Sequence, residues 1–515
     1  MGRTDECAAG EGKGLESKDR GQDKMESRKP RFKLINRQQM MLRPIEVDRL
    51  VSEEHEVRAI WEFVGRLDLS RYYEAIEVVE GEAGRPALNP HLLISLWIYA
   101  YSKGVGSARE ISRLCEYHPA YQWMTGLGSV NYHTLSDFRV KHKEGLGELF
   151  TQILGIMSAE GLISLERVMH DGTKVKACAS ADTFRREERI RAHLECARQQ
   201  VEQMGDPLSS EEVSPRVGKA RQRAAREKQQ RLVLALEELG KIRGAKLSQE
   251  EKQGARVSMT DPEARVMKQS DGGYAPSYNV QISTDAKEKV IVGIGVSQSG
   301  SDYGELVPGV DRVEVNVGQE PGQVVVDGGF TSRDNILAMS EREVDLIGSM
   351  GTGTSQSAGQ MKRRGVDPSF YPEAFHYDGI SDTYSCPAGK ILRANGEEKR
   401  PGRTNYKYRA CATDCQRCPF QQKCCPQNGP RSIVRGVDAP EVAAFIAKME
   451  TDEGKKIYRQ RGPVAEFPNA WIKDKIGLRQ FRLRGLVKVG MEVLWAALTY
   501  NIKQWIRLCW RPQWA

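Results

Sequence analysis

The run Gln323-Val324-Val325-Val326-Asp327-Gly328-Gly329 constrains the fold more than any other stretch of the chain. Three consecutive valines without polar alternation mark a strand buried on both faces, and such strands belong to sheets covered by helices. The run closes on a carboxylate, and the glycines behind it let the backbone turn away and leave the oxygens open. Arg167-Val168-Met169-His170-Asp171-Gly172 repeats the arrangement, with a strand expected to end at Asp171. Tyr278-Asn279-Val280-Gln281-Ile282-Ser283 and Val290-Ile291-Val292-Gly293-Ile294-Gly295-Val296 add two more strands. Helical patterns follow at 332–342 and beyond Gly462, so the expectation is an α/β core.

At 515 residues the chain is too long for one ordinary core and should form two or three units. Residues 1–33, charged and glycine-rich without apolar periodicity, read as a disordered tail. Residues 34–150 read as an N-terminal helical domain. Pro90 starts a helix carrying Leu92, Leu93, Leu96, Trp97 and Ala100, Ser107 caps a second with Ile111 and Leu114, and His133-Thr134-Leu135 opens a third with Phe138. These spacings fit a helix-turn-helix-like DNA-binding unit and equally a plain bundle. Arg85, Arg109, Arg113, Arg139 and Lys141 are its candidate DNA contacts. A catalytic domain is expected over 165–510, with two insertions. In 184–253, Ile190, Leu194, Ala197, Val201 and Met204 form one seam and Ala225, Leu232, Leu236 and Leu239 the returning one, broken at Gly205-Asp206-Pro207. That predicts an antiparallel helical hairpin, its charges either solvating it or gripping DNA. Residues 350–450 form a Cys-rich insertion, and Gly351 to Gly359 read as a loop.

The net charge of +8 favours an anionic partner only weakly. The longest apolar run, Leu92 to Tyr101, is half of the ~20 residues a membrane-spanning helix needs. The N-terminus lacks a hydrophobic signal core, so no membrane association and a cytoplasmic location, with reduced thiols, are expected. Of eleven cysteines, six lie between Cys386 and Cys425. Cys415 and Cys418 form a CxxC suited to a structural Zn²⁺, with Cys386 and Cys424 as the other two ligands and Cys411 and Cys425 as alternates. Free thiols are the competing reading. Cys115 and Cys196 read as packing residues, as do Trp495 and Trp505.

Carboxylates at strand ends serve either as turn formers or as ligands for a hard cation, Mg²⁺ or Mn²⁺. A third element favours the ligand reading. Between Tyr458 and Lys473 the chain reads Tyr, two residues, Arg461, four residues, Glu466, six residues, Lys473. Pro463 suits a first helical turn, and Glu466 and Lys473, seven apart, share a helix face.

This array resembles the Tyr/Arg/Glu/Lys signature of bacterial insertion-sequence transposases of the DDE class. Gly84-Arg85-Pro86-Ala87-Leu88-Asn89-Pro90 and His133-Thr134-Leu135-Ser136-Asp137-Phe138-Arg139 look like their N-terminal domain. Thr260-Asp261-Pro262-Glu263-Ala264-Arg265, Tyr278 to Gln281 and Val326 to Ser332 look like their core, and Arg484-Gly485-Leu486, Glu492 and Ala497 to Asn501 their closing helix. The likeness spans residues 40–508. The Arg461–Glu466 spacer is one residue longer than in some branches, and Phe330 stands where tyrosine is frequent.

The resemblance implies an RNase H-like core, a mixed five-stranded sheet flanked by helices. Asp171, Asp327 and Glu466 would hold two Mg²⁺ (or Mn²⁺) ions for DNA cleavage and strand transfer. Tyr458, Arg461 and Lys473 would contact the DNA end. The implied partners are double-stranded DNA, both terminal repeats and target, and a second copy of the chain in the DNA complex, with nucleoid association when bound. An RNase H-like nuclease without strand transfer, and an inactive DNA-binding regulator, are the alternatives. His170 reads as a strand residue rather than a base.

Overall fold

The computed structural model describes residues 37, 38, 40, 44–77, 86–203, 215–350, 354–427 and 429–511. The tail expected over 1–33, Arg85, Met204 and the break at Gly205-Asp206-Pro207 lie outside the described residues. Every strand among the described residues lies within the compact unit Val47–Ala515.

The N-terminal helices form where their caps predict. Asn89 accepts a hydrogen bond from the His91 N–H ahead of helix Pro90–Ser102, and Ser107 caps Ala108–Tyr117 by accepting from Glu110. Helix Pro90–Ser102 is buried on nearly every side from Leu93 to Tyr101, so it needs neighbours all round. It finds them in Glu56–Gly65, Tyr132–Lys141 and the last helix, Leu486–Leu508. Trp97 and Tyr101 pack on Trp495, and one apolar core runs from Val51 to Trp505.

Strand β1 (Val168–Lys176) opens the α/β part. Asp171 lies inside this strand, not at its end, because β1 continues to pair with the strand Tyr274–Asp285 after its other neighbour stops. β2 (Phe184–Arg185) and β3 (Val257–Ser258) close the base of the helical hairpin. Its arms, Glu187–Gln203 and Pro215–Gly244, are antiparallel: Arg243 pairs with Glu187 and Lys228 reaches Gln200. Ile190, Leu194, Ala197, Leu232, Ala235 and Leu239 fill the seam. β4 (Arg265–Lys268), β5 (Tyr274–Asp285), β6 (Ile291–Ser297), β7 (Gln323–Val325) and β8 (Asp345–Ile347) complete the main sheet. Its central order is β6-β5-β1-β7-β8, antiparallel from β6 to β1 and parallel from β1 to β8, with β4 also on β5.

The Cys-rich insertion is more regular than its polar sequence suggests. β9 (His376–Asp378), β10 (Thr383–Ser385), β11 (Ile391–Arg400), β12 (Arg403–Ala410) and β13 (Ser432–Asp438) form an antiparallel sheet in the order β13-β12-β11-β10-β9. Its core is small: Phe375, Leu392, Tyr408, Ala410 and Ile433. The loop expected to Gly359 is, from Thr354, a helix ending at Arg363. Among the described residues no helix is long and apolar enough to cross a membrane.

Candidate active site

β1 and β7 pair in parallel only at Val168–Val324 and Met169–Val325. Asp171 and Asp327 both lie two residues past the second pair. In strands running the same way this brings the two acids to one level, at the mouth left where β7 ends. Asp171 also shares a strand face with Met169, which packs on Ala465 of helix Arg461–Asp474. That helix lies over the open edge.

Contacts between helix and strand are specific. The Asn469 side-chain amide donates to Asp171 Oδ2 at 3.0 Å, and the Lys473 ammonium donates to Thr173 Oγ1. Arg461 Nη1 stands 3.7 Å from Asp171 Oδ1, which also accepts from the Gly172 N–H at 3.0 Å. Burial pushes the Asp171 carboxyl up to about 6; Arg461 opposes the shift, and the negative charge of Asp327 adds to it. Asn469 Oδ1 is buried without a hydrogen-bond partner. Burial, aided by the charge of Arg479, lowers the Lys473 pKa.

Asp327 is half-buried, and its Oδ1 accepts from the Gly329 N–H at 2.8 Å. Glu466 is exposed. It sits one turn before Asn469, on the helix stripe that continues to Lys473. Asp171 and Asp327 are thus gathered and Glu466 is not. No group of three or more His, Cys, Asp or Glu side chains fit to hold a metal ion occurs among the described residues. Tyr458, on helix Asp452–Arg459, borders Ala465 and lines a groove with Arg333, Arg403, Ser349 and Lys455.

Sequence reasoning missed the opposite face of β1. Lys174 there pairs with Asp302 at 2.9 Å, and Asp302 also accepts from Asn279 (2.6 Å) and Gln281 (2.9 Å). Burial alone would raise the Asp302 pKa, but these donors outweigh it and hold it low. A side chain at position 172 would collide with the Asp302 carboxylate, which is why glycine stands there. The signal lay in β5: Asn279, Gln281 and Ser283 place a polar group at every second position of a buried strand. His170 is 2% exposed and its Nδ1 bonds Ser283 Oγ at 2.8 Å. Burial, helped by Arg312, lowers its pKa to about 4, so it is a neutral packing residue.

Comparison with known families bears on both ends of the chain. A family described as Transposase DDE domain matches residues 385–506, and one described as Transposase domain (DUF772) matches residues 45–141. Both matched families are transposase families, and together they support an insertion-sequence DDE transposase. The DDE match contains Tyr458, Arg461, Glu466 and Lys473, whereas Asp171 and Asp327 lie before it. No sequence among curated proteins matches. One similar solved structure is a piggyBac transposase synaptic complex with hairpin DNA. It is 8% identical, with 89% of this chain and 80% of that chain covered, at a TM-score of 0.21, too low to carry an argument.

The N-terminal candidates divide. Arg109, Arg113 and Lys141 are exposed, although Arg113 also pairs with Glu110. Arg139 is not available to DNA. It is 5% exposed, pairs with the fully buried Glu492 at 2.8 Å, donates to the Gly106 carbonyl at 3.0 Å, and stacks on Trp97 and Tyr101.

Proposed function

We propose that the chain binds the ends of its insertion sequence and carries out metal-dependent cleavage and strand transfer of DNA, using Asp171, Asp327 and Glu466. One observation carries this reading: Asp171 and Asp327 lie at one level past the Met169–Val325 pair, beneath the helix that bears Arg461, Glu466 and Lys473. The order and senses of β6-β5-β1-β7-β8 support an RNase H-like core. The family matches support transposition as the activity.

The residues present suit a hard divalent cation. The donors are oxygens, the two aspartates repel each other, and Asn469 Oδ1 is an unpartnered acceptor beside them. Asp171, Asp327 and Glu466 would hold Mg²⁺ or Mn²⁺, with exposed Glu466 turning inward to join. Bound there, two such ions supply Lewis-acid activation of the attacking oxygen and charge neutralisation at the leaving oxygen.

The chain's own groups do the positioning. Arg461 compensates Asp171 until a cation takes over that role, and its guanidinium is then free for bidentate contact with a phosphate. Lys473 at the Thr173 edge and Tyr458 in its groove would hold the transposon end beside the acids. In cleavage a water oxygen bonds to phosphorus as the bond to the 3′ oxygen breaks, freeing a 3′-OH. In strand transfer that hydroxyl bonds to a target phosphorus and a target 3′-OH leaves. Joining two ends calls for two copies of the chain on DNA.

A strand-transfer assay tests the reading. Uncut and precleaved end DNA, each with Mg²⁺ and supercoiled target, should both give covalently joined products. Cutting at the end without joining would support the nuclease alternative, and end binding without cutting the regulatory one.

A further inference from the structure

The cysteine cluster lies outside the catalytic account, and the fold brings most of it to one place. Cys386, on the turn after β10, and Cys415, Cys418, Cys424 and Cys425, between β12 and β13, line a single cavity of about 30 Å³. Cys411 does not line it; its exposed thiol contacts Thr413 Oγ1 at 3.1 Å. Cys425 sits behind Cys424, sulfur to sulfur 3.8 Å. Thiols from two separate stretches of sequence thus converge on a pocket large enough for an ion or a water.

Two further observations point to anionic sulfur. Backbone N–H groups are aimed at the thiols: Lys390 N donates to Cys386 Sγ at 3.3 Å and Arg431 N to Cys415 Sγ at 3.5 Å. Gly389, at φ +74°, permits the turn that directs the first of these. The Arg431 side chain, 8% exposed, lines the same cavity. Its guanidinium donates to the Phe370 carbonyl at 2.8 Å and touches Met361 Sδ, its Nε has no partner, and among the described residues no carboxylate pairs with it. A buried cation without a counter-charge is costly. Four thiolates around one Zn²⁺ carry a net charge of −2 and would supply it.

We propose that Cys386, Cys415, Cys418 and Cys424 bind one structural zinc ion as thiolates, with Arg431 as its buried counter-charge. Binding releases the four thiol protons and involves no redox change. As they stand, no three such side chains are close enough to hold an ion. Ligation therefore draws the sulfurs inward over the cavity. The ion ties the Cys386 turn to the β12–β13 connection in a sheet whose core has five buried apolar residues, so its effect is on folding and not on phosphoryl chemistry.

The test uses the full chain purified under reductant without chelator. Elemental analysis should find about one zinc per chain, as four cysteine ligands require. Cobalt exchanged into the site should show sulfur-to-metal charge transfer and the intense visible bands of tetrahedral coordination. Cys411→Ser should keep both signals, and the double variant Cys415→Ser/Cys418→Ser should lose them. Should the double variant not fold, wild-type thiol counting decides: chelation should expose four further reactive thiols in step with zinc release. Wild-type protein that holds no zinc and gives no charge-transfer band with cobalt, or equal metal loss in Cys411→Ser, would overturn the proposal.

Discussion

The side-chain amide of Asn469 donates to Asp171 across 3.0 Å, so the helix bearing Glu466 is registered on the strand bearing the first aspartate. Removing that tie tests whether it positions the carboxylate. Asn469→Ala should weaken the apparent Mg²⁺ affinity of cleavage about 10–100-fold, the usual cost of removing an outer hydrogen-bond partner, while end binding stays unchanged. The check is cleavage rate against Mg²⁺ concentration; an unaltered curve would mean the amide orients nothing.

Protonation of Asp171 gives a second expectation. Its folded pKa, about 6, lies above the ordinary 3.8. The protonated form is therefore the one folding favours. That stabilisation is complete below the unfolded pKa and is lost as pH rises through 6, about 3 kcal/mol in all. His170, held neutral with a pKa of about 4, acts oppositely, its contribution vanishing as pH falls. The difference between wild type and Asp171→Asn isolates the aspartate. Measured without divalent ions, the variant should gain stability relative to wild type between pH 4 and pH 7, by chemical denaturation. A constant difference across that window would contradict the assigned environment.

Arg139 is expected to matter for folding rather than for DNA. Arg139→Ala leaves Glu492, 0% exposed, without its cation, and removing one partner of a buried pair costs about 3–5 kcal/mol. Replacing both, as Arg139→Met with Glu492→Leu, should restore much of the stability. Denaturation of the three variants checks this. If Arg139→Ala folds as well as wild type but fails to bind ends, the residue contacts DNA after all.

The sequence was most informative where one strand face is uniform. The valines before Asp327 and the alternation in β5 identified those strands because burial imposes composition directly. Asp171, Thr173 and Lys174 resemble a turn in sequence, and only pairing with β5 shows that β1 continues through them. The sheet of the Cys-rich insertion was missed because β11 is mostly exposed and polar. Arg139 looked like a DNA contact because Glu492, its partner, lies far along the chain, and charge alone does not reveal burial. Glu466 and Lys473 were correctly put on one helix; Asn469, on the same stripe, was passed over because an amide lacks the charge that drew attention to its neighbours.

DNA binding by the N-terminal helices should be measured on the full chain. Their core is completed by helix Leu486–Leu508, so a fragment ending near residue 150 would expose it. Arg109→Ala with Lys141→Ala should weaken end binding. The slope of log affinity against log salt should become shallower by about 0.9 for each phosphate that is no longer neutralised. An unchanged slope would put the DNA-binding cations elsewhere.

Catalysis by the three acids is tested most directly by Mg²⁺-dependent cleavage of transposon-end DNA by Asp171→Asn, Asp327→Asn and Glu466→Gln alongside wild type, with end binding followed in parallel. Each variant should bind the end with near wild-type affinity and cut it at background rate. Cleavage at the wild-type rate by any one of them, Asp327→Asn above all, would contradict the assignment.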